Sequence, residues 1–321
     1  MIVTLTPNPS IDATFNLGTT LERGQVHRLT GSQRVAGGKG INVSGAVLAA
    51  AKKTIALFPA AADDPFITLV KNQELPCATV SVTEPVRVNT AITETDGTTT
   101  KLNGQGATLT EQQQRAVEKL LIDHCAHAEW AVLAGSLPPG VPQDWYAQLT
   151  QLLYKNYPNI KVAIDTSDAP LIALSQQLES TAPSILKPNG MELGQLVGVN
   201  GLELEAQAEK GNYLPVIEAA RKMVVRGVEH VLVTLGSAGA VLVTTNNAWV
   251  ATPPPAKILS TVGAGDCTLA GFIMAHTDGK PLDECLRQGV AYGTAAASLP
   301  GTTIPTPDQV NIAETTIRTL V

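Results

Sequence analysis

The sequence predicts a layered α/β domain with a mostly parallel central sheet and a separate, small β-sheet. Short apolar runs rich in β-branched residues alternate with longer amphipathic stretches, which is typical of parallel strands joined by crossover helices. Two further segments alternate polar and apolar residues, as exposed strands do. With 321 residues, 44% of them hydrophobic, the chain is long enough to bury a sizeable core.

Six apolar runs are predicted as buried strands, each followed by a turn signal. In chain order they are MIVTL at 1–5, TIALF at 54–58, WAVLAG at 130–135, KVAID at 161–165, SIL at 184–186 and HVLVTLG at 230–236. Among the amphipathic stretches, one begins at Thr110 as a helix N-cap and another ends at Gly227. No internal repeat or low-complexity linker interrupts the chain, so we expect a single domain over 1–321.

The small sheet is predicted from residues 12–35 and 86–103, which we call the clasp. Both segments suit exposed antiparallel strands, and the second contains an Asp96–Gly97 turn. We expect the clasp to act as a lid on the main domain. A small sheet with an apolar face is not stable alone in water, so a second copy of the clasp is expected to cover it in a symmetric homodimer.

The overall composition excludes several classes of partner. A formal charge of −6 and a pI near 5.4 argue against nucleic acid and anionic membranes. No apolar run approaches the length of a membrane span, and the N-terminus lacks the features of a signal peptide. The four cysteines are scattered, without a C-x-x-C pair, which favours a reducing compartment. A cytoplasmic location is therefore expected.

Clusters of glycine and polar residues follow five of the predicted elements. They are GGKGIN, AGSLPPG, AIDTSD, LKPNGME and TLGSAGA. Ligands bind at the carboxyl ends of strands in open α/β sheets, so these clusters predict one site. Neither a Walker A loop nor a dinucleotide fingerprint has the required spacing, which weakens the case for a nicotinamide dehydrogenase.

The stretch STVGAGDC at 260–267 places bare backbone and an acid at the start of an apolar helix. Free N–H groups of Gly263, Ala264 and Gly265 would stabilise the negative charge of a transferred phosphoryl group. Asp266 could accept the proton of an attacking hydroxyl, and the helix end is expected to keep it ionised. The alternative is an ordinary cap, with Asp266 serving only the helix dipole.

In this stretch, and in several others, the sequence resembles the PfkB or ribokinase-like carbohydrate kinases. STVGAGDC matches their D-T-x-G-A-G-D signature with Ser260 in place of the leading acid, and GGKGIN matches their Gly-Gly loop. The motifs TLTPNPSID, GSLPPG, KPNGME and TLGSAGA follow in the family order over nearly the whole chain. The resemblance is greatest to the branch that acts on phosphorylated ketohexoses. It implies a ribokinase-like three-layer α/β/α domain with a β-sheet lid.

The resemblance also implies an activity and its site. ATP would phosphorylate the C6 hydroxyl of fructose 1-phosphate, with Mg²⁺ and, from the segment at 290–303, a monovalent cation such as K⁺. Asp266 would be the base, and Gly263 to Gly265 the anion hole. The remaining implied residues are Asp12, Gly38, Lys39 and Asn42 for the sugar, Lys187, Asn189, Thr234, Gly236 and Gly239 for the nucleotide, and Asn189 and Glu192 for Mg²⁺. Asp165 is either a second metal-side residue or a cap.

An acidic chain that binds a sugar phosphate needs local cations. Arg87 is the strongest choice, since a guanidinium can hold a phosphate through two hydrogen bonds and the family has an arginine in the matching R-x-N, here with Asn89. Lys101, Lys39 and Arg28 are further choices. Tagatose 6-phosphate and fructose 6-phosphate remain alternative substrates. A non-catalytic sugar-phosphate-binding regulator is disfavoured by the intact Asp266 and Asn189–Glu192 pair.

Overall fold

The computed structural model describes all 321 residues. It has a strand or helix for each one that the sequence predicts. The strands are β1 (Ile2–Leu5), β2 (Ser10–Leu17), β3 (Leu29–Gly37), β4 (Thr54–Pro59), β5 (Cys77–Val80), β6 (Arg87–Thr93), β7 (Thr99–Asn103), β8 (Trp130–Ala134), β9 (Lys161–Asp165), β10 (Ile185–Leu186), β11 (His230–Thr234), β12 (Ala240–Val243), β13 (Ala248–Thr252) and β14 (Thr316–Thr319). The helices are α1 (Lys39–Ala49), α2 (Pro65–Asn72), α3 (Glu111–Cys125), α4 (Trp145–Asn156), α5 (Asp168–Ser175), α6 (Leu178–Thr181), α7 (Gly190–Val197), α8 (Gly201–Glu209), α9 (Leu214–Val225), α10 (Ala264–Thr277) and α11 (Leu282–Ala297).

Ten strands form the central sheet in the order β14-β13-β12-β11-β10-β9-β8-β1-β4-β5. All neighbours from β11 to β5 are parallel, whereas β12, β13 and β14 extend the sheet as antiparallel neighbours. The six strands named from the sequence are all in the parallel part. The fold is therefore the expected α/β class with a mostly parallel sheet.

Helices cover both faces of this sheet and complete three layers. Successive residues of a strand face opposite sides, so Trp130 and Val132 of β8 pack on one side and Ala131 and Leu133 on the other. The larger core includes apolar residues of α3, α4 and α9, and the second includes α1, α10 and α11. Thr110 forms the expected capping box at the start of α3. None of the helices is both long and apolar enough to span a membrane.

The clasp is a separate four-stranded sheet in the order β3-β2-β6-β7. Its outer pairs are antiparallel, as predicted, and Gly97 lies at positive φ in the turn between β6 and β7. The central pair departs from the prediction, because β2 and β6 run parallel with Ser10 opposite Arg87. Two strands that leave the main domain side by side at one edge must run in the same direction. This arrangement places the first residues of β2 and β6 together where the clasp meets the main domain.

Candidate active site

Helix α10 places a buried carboxylate beside unpaired backbone donors. Its N-cap is Gly263, at a φ of 80°, with no side-chain capping bond. The N–H groups of Gly265 and Asp266 have no hydrogen-bond partner, whereas the Ala264 N–H, which was expected to be free, donates to the Thr261 carbonyl at 3.4 Å. Asp266 is 6% exposed and accepts a hydrogen bond from Asn42 Nδ2 at 2.8 Å. Asp266 therefore makes no side-chain capping bond, although it lies in the first turn of α10, and its surroundings fit an anion-binding turn with an acid directly beside it.

A second buried carboxylate, Asp165, lies at the end of β9 between two lysines. Lys39 Nζ donates to Asp165 Oδ1 at 2.6 Å. Lys187 Nζ lies 2.9 Å from Oδ2 and forms the second ion pair. The side chains of Asp165 and Lys187 are 1% and 5% exposed. Asp165 therefore does not cap the following helix, whose N-cap is Ser167, and it orients two ammonium groups.

These charges set the protonation of the site. Burial raises the pKa of Asp165, but the charges of Lys187 and Lys39 outweigh it and hold that pKa below its usual value. Burial and then the charge of Asp165 raise the pKa of Asp266 to about 6, against the opposing effects of Lys39, Asn42 and Lys187. The expectation from the sequence, that the helix end would keep Asp266 ionised, did not include these effects of burial and neighbouring charges. At neutral pH Asp266 is still mostly ionised and can accept a proton.

Asn189 and Glu192, predicted to serve Mg²⁺, form the capping box of α7. Asn189 Oδ1 accepts from the Glu192 N–H at 2.7 Å, and Glu192 Oε2 accepts from the Asn189 N–H at 2.8 Å. Glu192 Oε1 has no protein partner. An N-x-x-E pair is therefore also typical of a capping box at the start of a helix. This second interpretation of Asn189 and Glu192 was not considered from the sequence. Asn189 also bridges to Thr234, which joins α7 to the end of β11.

A cavity of about 570 Å³ opens beside the start of α10. It brings together the predicted Thr234, Gly236 and Gly239 with Ala264 and Gly265. Another wall is formed by four residues of segment 290–303, which was predicted to lie near a monovalent cation. These residues are Val290, Gly293, Thr294 and Ala297. A further wall of the cavity, made by Pro253–Ala256, Ile258 and Thr261, was not predicted, although the run of prolines indicates an irregular segment. Gly265, whose N–H is one of the free donors beside Asp266, is among the lining residues.

The polar face of the clasp carries the predicted sugar-binding residues. Asp12 Oδ1 accepts from Ser10 Oγ at 2.7 Å and from Asn89 Nδ2 at 3.1 Å. Burial raises the pKa of Asp12, while those hydrogen bonds and the charges of Arg87 and Lys101 oppose the shift. The strand register places Ser10 with Arg87, Asp12 with Asn89, and the Thr14–Ala91 pair with Lys101, all on one face.

Arg87 has no ion pair on this face. Its Nη1 donates to the Gly104 carbonyl at 3.4 Å, and its Nε is buried without a partner, as is Asn89 Oδ1. Buried polar atoms without partners are uncommon and indicate a missing ligand or water. Arg28, by contrast, is not brought to this cluster. It is exposed and precedes Leu29, which pairs with Leu17 five residues along β2 from Asp12, roughly 17 Å away.

The β3–α1 turn joins the clasp to the two lysines. Gly37 lies so close to Asp12 that a Cβ at this position would approach Asp12 Oδ2 to 2.2 Å, so a side chain is excluded. Two residues later, Lys39 begins α1 and reaches Asp165. On the other side, Gly265 lies against Lys187, where a Cβ would be 3.1 Å from Nζ. The three groups of predicted residues therefore form one continuous surface.

Two buried polar residues near this surface were absent from the sequence analysis. Asn8 donates from Nδ2 to the carbonyls of Gln105 and Leu137 and to Ser136 Oγ, and so links β1, the end of the clasp and the GSLPPG loop. Asp64 caps α2 and also accepts a hydrogen bond from the N–H of Val86, the residue directly before β6. The Asp–Pro pair at 64–65 is a typical helix start that could have indicated the cap, but not the second contact.

Comparisons with known proteins identify the family to which the chain belongs. The family model described as pfkB family carbohydrate kinase matches residues 6–309. The chain is 34% identical to a 1-phosphofructokinase of Rhodobacter capsulatus over 99% of this chain and 98% of that protein. It is 32% identical to the ATP-dependent 6-phosphofructokinase isozyme 2 of Escherichia coli over 96% of both chains. The crystal structure of phosphofructokinase-2 from Escherichia coli with substrates and products superimposes with a TM-score of 0.84, at 30% identity and 96% coverage of both chains.

Proposed function

The chain belongs to the pfkB family of carbohydrate kinases, and from this premise we propose that it transfers the γ-phosphoryl group of ATP to the C6 hydroxyl of fructose 1-phosphate. The product would be fructose 1,6-bisphosphate. One observation carries the proposal: Asp266 directly follows Gly265, which lines the cavity beside α10 and lies against Lys187, one of the two lysines paired with Asp165. The whole chain, 1–321, is proposed to act as one kinase domain with the clasp as its lid.

In the proposed reaction Asp266 accepts the proton of the C6 hydroxyl while the hydroxyl oxygen attacks the γ-phosphorus of ATP, whose bond to the bridging oxygen breaks so that ADP leaves. Asn42 holds the Asp266 carboxylate at 2.8 Å, so the base has a fixed orientation before the sugar binds. A pKa of about 6 leaves the base ionised at neutral pH, and yet closer to the pH at which it works than an exposed aspartate would be.

The charge that develops on the transferred group has fixed partners. The free N–H groups of Gly265 and Asp266 lie at the positive end of α10. Lys187 lies beside Gly265 and is held by Asp165. Because these groups are oriented before the reaction, little reorganisation accompanies the transfer. Lys39 is the second cation, on the side nearer to the sugar.

The donor set around Asn189 fits a magnesium ion carried mainly by the nucleotide. Mg²⁺ keeps several waters and takes one or two carboxylates together with substrate phosphates, and Glu192 Oε1 is a carboxylate oxygen without a protein partner. When bound, Mg²⁺ would neutralise phosphate charge. The segment 290–303 is proposed to lie near the adenine and a monovalent cation. The related Escherichia coli phosphofructokinase-2 has been crystallised in complex with potassium.

The sugar is proposed to bind between the clasp and α1. Asp12, supported by Ser10 and Asn89, would accept from its hydroxyls, and Gly38 allows close approach of the chain. Arg87, which lacks an ion pair, would bind the phosphate, with Lys101 two rungs further along the same face. The clasp would also exclude water that could hydrolyse ATP.

A coupled ADP-release assay with Mg·ATP tests the proposed function. Fructose 1-phosphate, fructose 6-phosphate and tagatose 6-phosphate are compared at equal concentrations, with fructose as the unphosphorylated control. We expect the largest kcat/KM with fructose 1-phosphate. A larger value with fructose 6-phosphate would instead assign the activity of the Escherichia coli relative. No release of ADP above the sugar-free rate would favour the non-catalytic regulator.

We also propose that the enzyme is a homodimer formed through the clasp. Val88, Leu102 and Leu29 are 46%, 58% and 49% exposed, and the strand register places them on the face opposite Asp12. An exposed apolar face of a small sheet needs a cover. A tetrameric form of the Escherichia coli phosphofructokinase-2 is known, so that relative does assemble. The four unpaired cysteines fit the proposed cytoplasmic location.

A further inference from the structure

We propose that Asp64 is a positioning residue for sugar-phosphate binding, acting by fixing the backbone that carries Arg87. The inference rests on the proposed function, in which Arg87 binds the sugar's phosphate. Asp64 is in the main domain, at the start of α2, and Arg87 is the first residue of clasp strand β6. The link between the two is the backbone N–H of Val86.

Both carboxylate oxygens of Asp64 are used, one on each side of the junction. Oδ1 accepts from the Phe66 N–H at 2.8 Å and caps α2. Oδ2 accepts from the Val86 N–H, also at 2.8 Å. Asp64 is 6% exposed, and hydrogen bonds to a carboxylate are stronger than those between neutral groups. One buried side chain therefore ties the chain directly before Arg87 to the main domain.

The surroundings of Asp64 make this contact stiff. Phe66 and Val86 belong to one apolar cluster that also contains Ile11 of β2 and Phe58 of β4. The rings of Phe66 and Phe58 meet edge to face, with centroids 5.1 Å apart. The junction between the domain and the clasp thus has a packed core under the Asp64 hydrogen bonds.

The side chain of Arg87 has few hydrogen bonds of its own that would fix its position. The β2–β6 ladder begins at the Ser10–Arg87 pair, so Val86 lies outside it. The guanidinium itself has only the long bond to Gly104 and a buried Nε without a partner. Its position is therefore set by the backbone, which is held by Ser10 on the clasp side and by Asp64 on the main-domain side.

Loss of the Asp64 contact would reduce the fraction of molecules in which Arg87 can reach the phosphate. The apparent affinity for the sugar phosphate falls in proportion to that fraction. No residue that lines the cavity beside α10 belongs to the apolar cluster at the junction, so the KM for ATP should stay unchanged. A general loss of folding would change both.

The test uses Asp64→Ser, because serine still caps a helix but is too short to reach Val86. We expect the KM for fructose 1-phosphate to rise roughly five- to twentyfold, with kcat and the KM for ATP within about twofold of wild type. Hydrogen exchange of peptides covering residues 83–92 should become faster. Asp96→Asn is the matched control, since Asp96 also accepts a backbone N–H in the clasp, from Thr98 at 2.9 Å, but at its exposed tip.

The decisive comparison is between D64S alone and D64S combined with R87A. If Asp64 acts through Arg87, D64S should change the KM by less than about twofold once Arg87 is absent. An equal rise in both backgrounds, or a rise in the KM for ATP as well, would overturn the proposal. Should D64S fold poorly, D64N keeps the volume and one acceptor oxygen, and it is subject to the same criteria. R87A with an unchanged KM would contradict the phosphate role of Arg87 itself, and so the premise.

Discussion

The buried centre around Asp165 and the polar face of the clasp handle charge in opposite ways. In the centre, Lys39 and Lys187 are both paired with Asp165, which is 1% exposed. On the clasp, neither Arg87 nor Lys101 has an ion pair, and Asp12 is satisfied by neutral donors from Ser10 and Asn89. The centre is oriented before any ligand binds, whereas the clasp keeps its cations available.

This difference suits the two tasks of a kinase. Charge develops transiently on a transferred phosphoryl group, so fixed and paired charges stabilise it without reorganising. The sugar's phosphate carries a permanent charge, and a carboxylate partner of Arg87 would compete with it. Loss of a group in the centre should therefore reduce kcat, and loss of a cation on the clasp should raise the KM for the sugar phosphate.

The largest effect is expected from Asp266→Asn. Asparagine keeps the shape and can retain the contact with Asn42, but it cannot accept the proton, so kcat should fall by at least about 10²-fold. ATP binding, measured by calorimetry without sugar, should be unchanged. A variant that keeps most of its kcat would show that Asp266 is not the base and would remove the distinction between the two regions.

Arg87→Ala should affect the clasp alone. Charged hydrogen bonds contribute enough that the KM for fructose 1-phosphate should rise roughly 10- to 100-fold. We expect kcat to fall less, and the KM for ATP to stay nearly constant. The preference for fructose 1-phosphate over fructose should narrow as well, because the variant no longer recognises the anion. An unchanged preference between these two sugars would place the phosphate elsewhere.

The pH dependence of kcat tests the buried centre, because the charge of Asp165 acts on the pKa of Asp266. With its pKa raised to about 6, Asp266 is protonated as the pH falls, so kcat should decrease below about pH 6 with a one-proton slope. The charge of Asp165 contributes to that raised pKa, and the lysines lower it. Asp165→Asn removes the raising charge and frees Lys39 and Lys187, so both effects should move the limb to lower pH, by roughly one unit.

The control for the pH profile is Asp96→Asn, at the clasp tip, which should leave the limb in place. Measurement of kcat at saturating ATP and sugar between pH 5 and 8 separates this effect from altered binding. A limb that stays at the same pH in the Asp165 variant, or moves upward, would show that Asp165 does not act on the ionisation of the base.

Local patterns predicted most of the fold but not its long-range pairings. The six buried strands and the Thr110 cap are encoded in contiguous residues, and all are confirmed. The parallel contact between β2 and β6 joins residues more than 70 positions apart and has no local signal. The antiparallel strands β12 to β14 were not named either, since their short apolar runs lack the alternation with helices that marked the others.

The same limit applies to the site. The glycine turns and Asp266 were visible because each motif is contiguous, whereas the Asp165 centre joins α1, β9 and the residue after β10. The two ion pairs of Asp165 were consequently not predicted, and Arg28 was grouped with cations from which the strand register separates it. Burial was missed for a similar reason: the neighbours that raise the pKa of Asp266 are brought to it only by the fold.

The smallest effect on turnover is expected at the outer face of the clasp, where the proposed dimer forms. Leu102 is 58% exposed and lies on the side opposite Asp12, so Leu102→Asp should not contact the sugar directly. A charge buried in an apolar interface is costly, and sedimentation at micromolar concentration should change from dimer to monomer. Without its cover the clasp should be less ordered, so the KM for the sugar phosphate should rise by a few fold while kcat changes little. Lys119→Asp, an exposed charge change on α3, is the control and should remain dimeric. A wild-type protein that sediments as a monomer with full activity would contradict the dimer and show that the apolar face needs no partner.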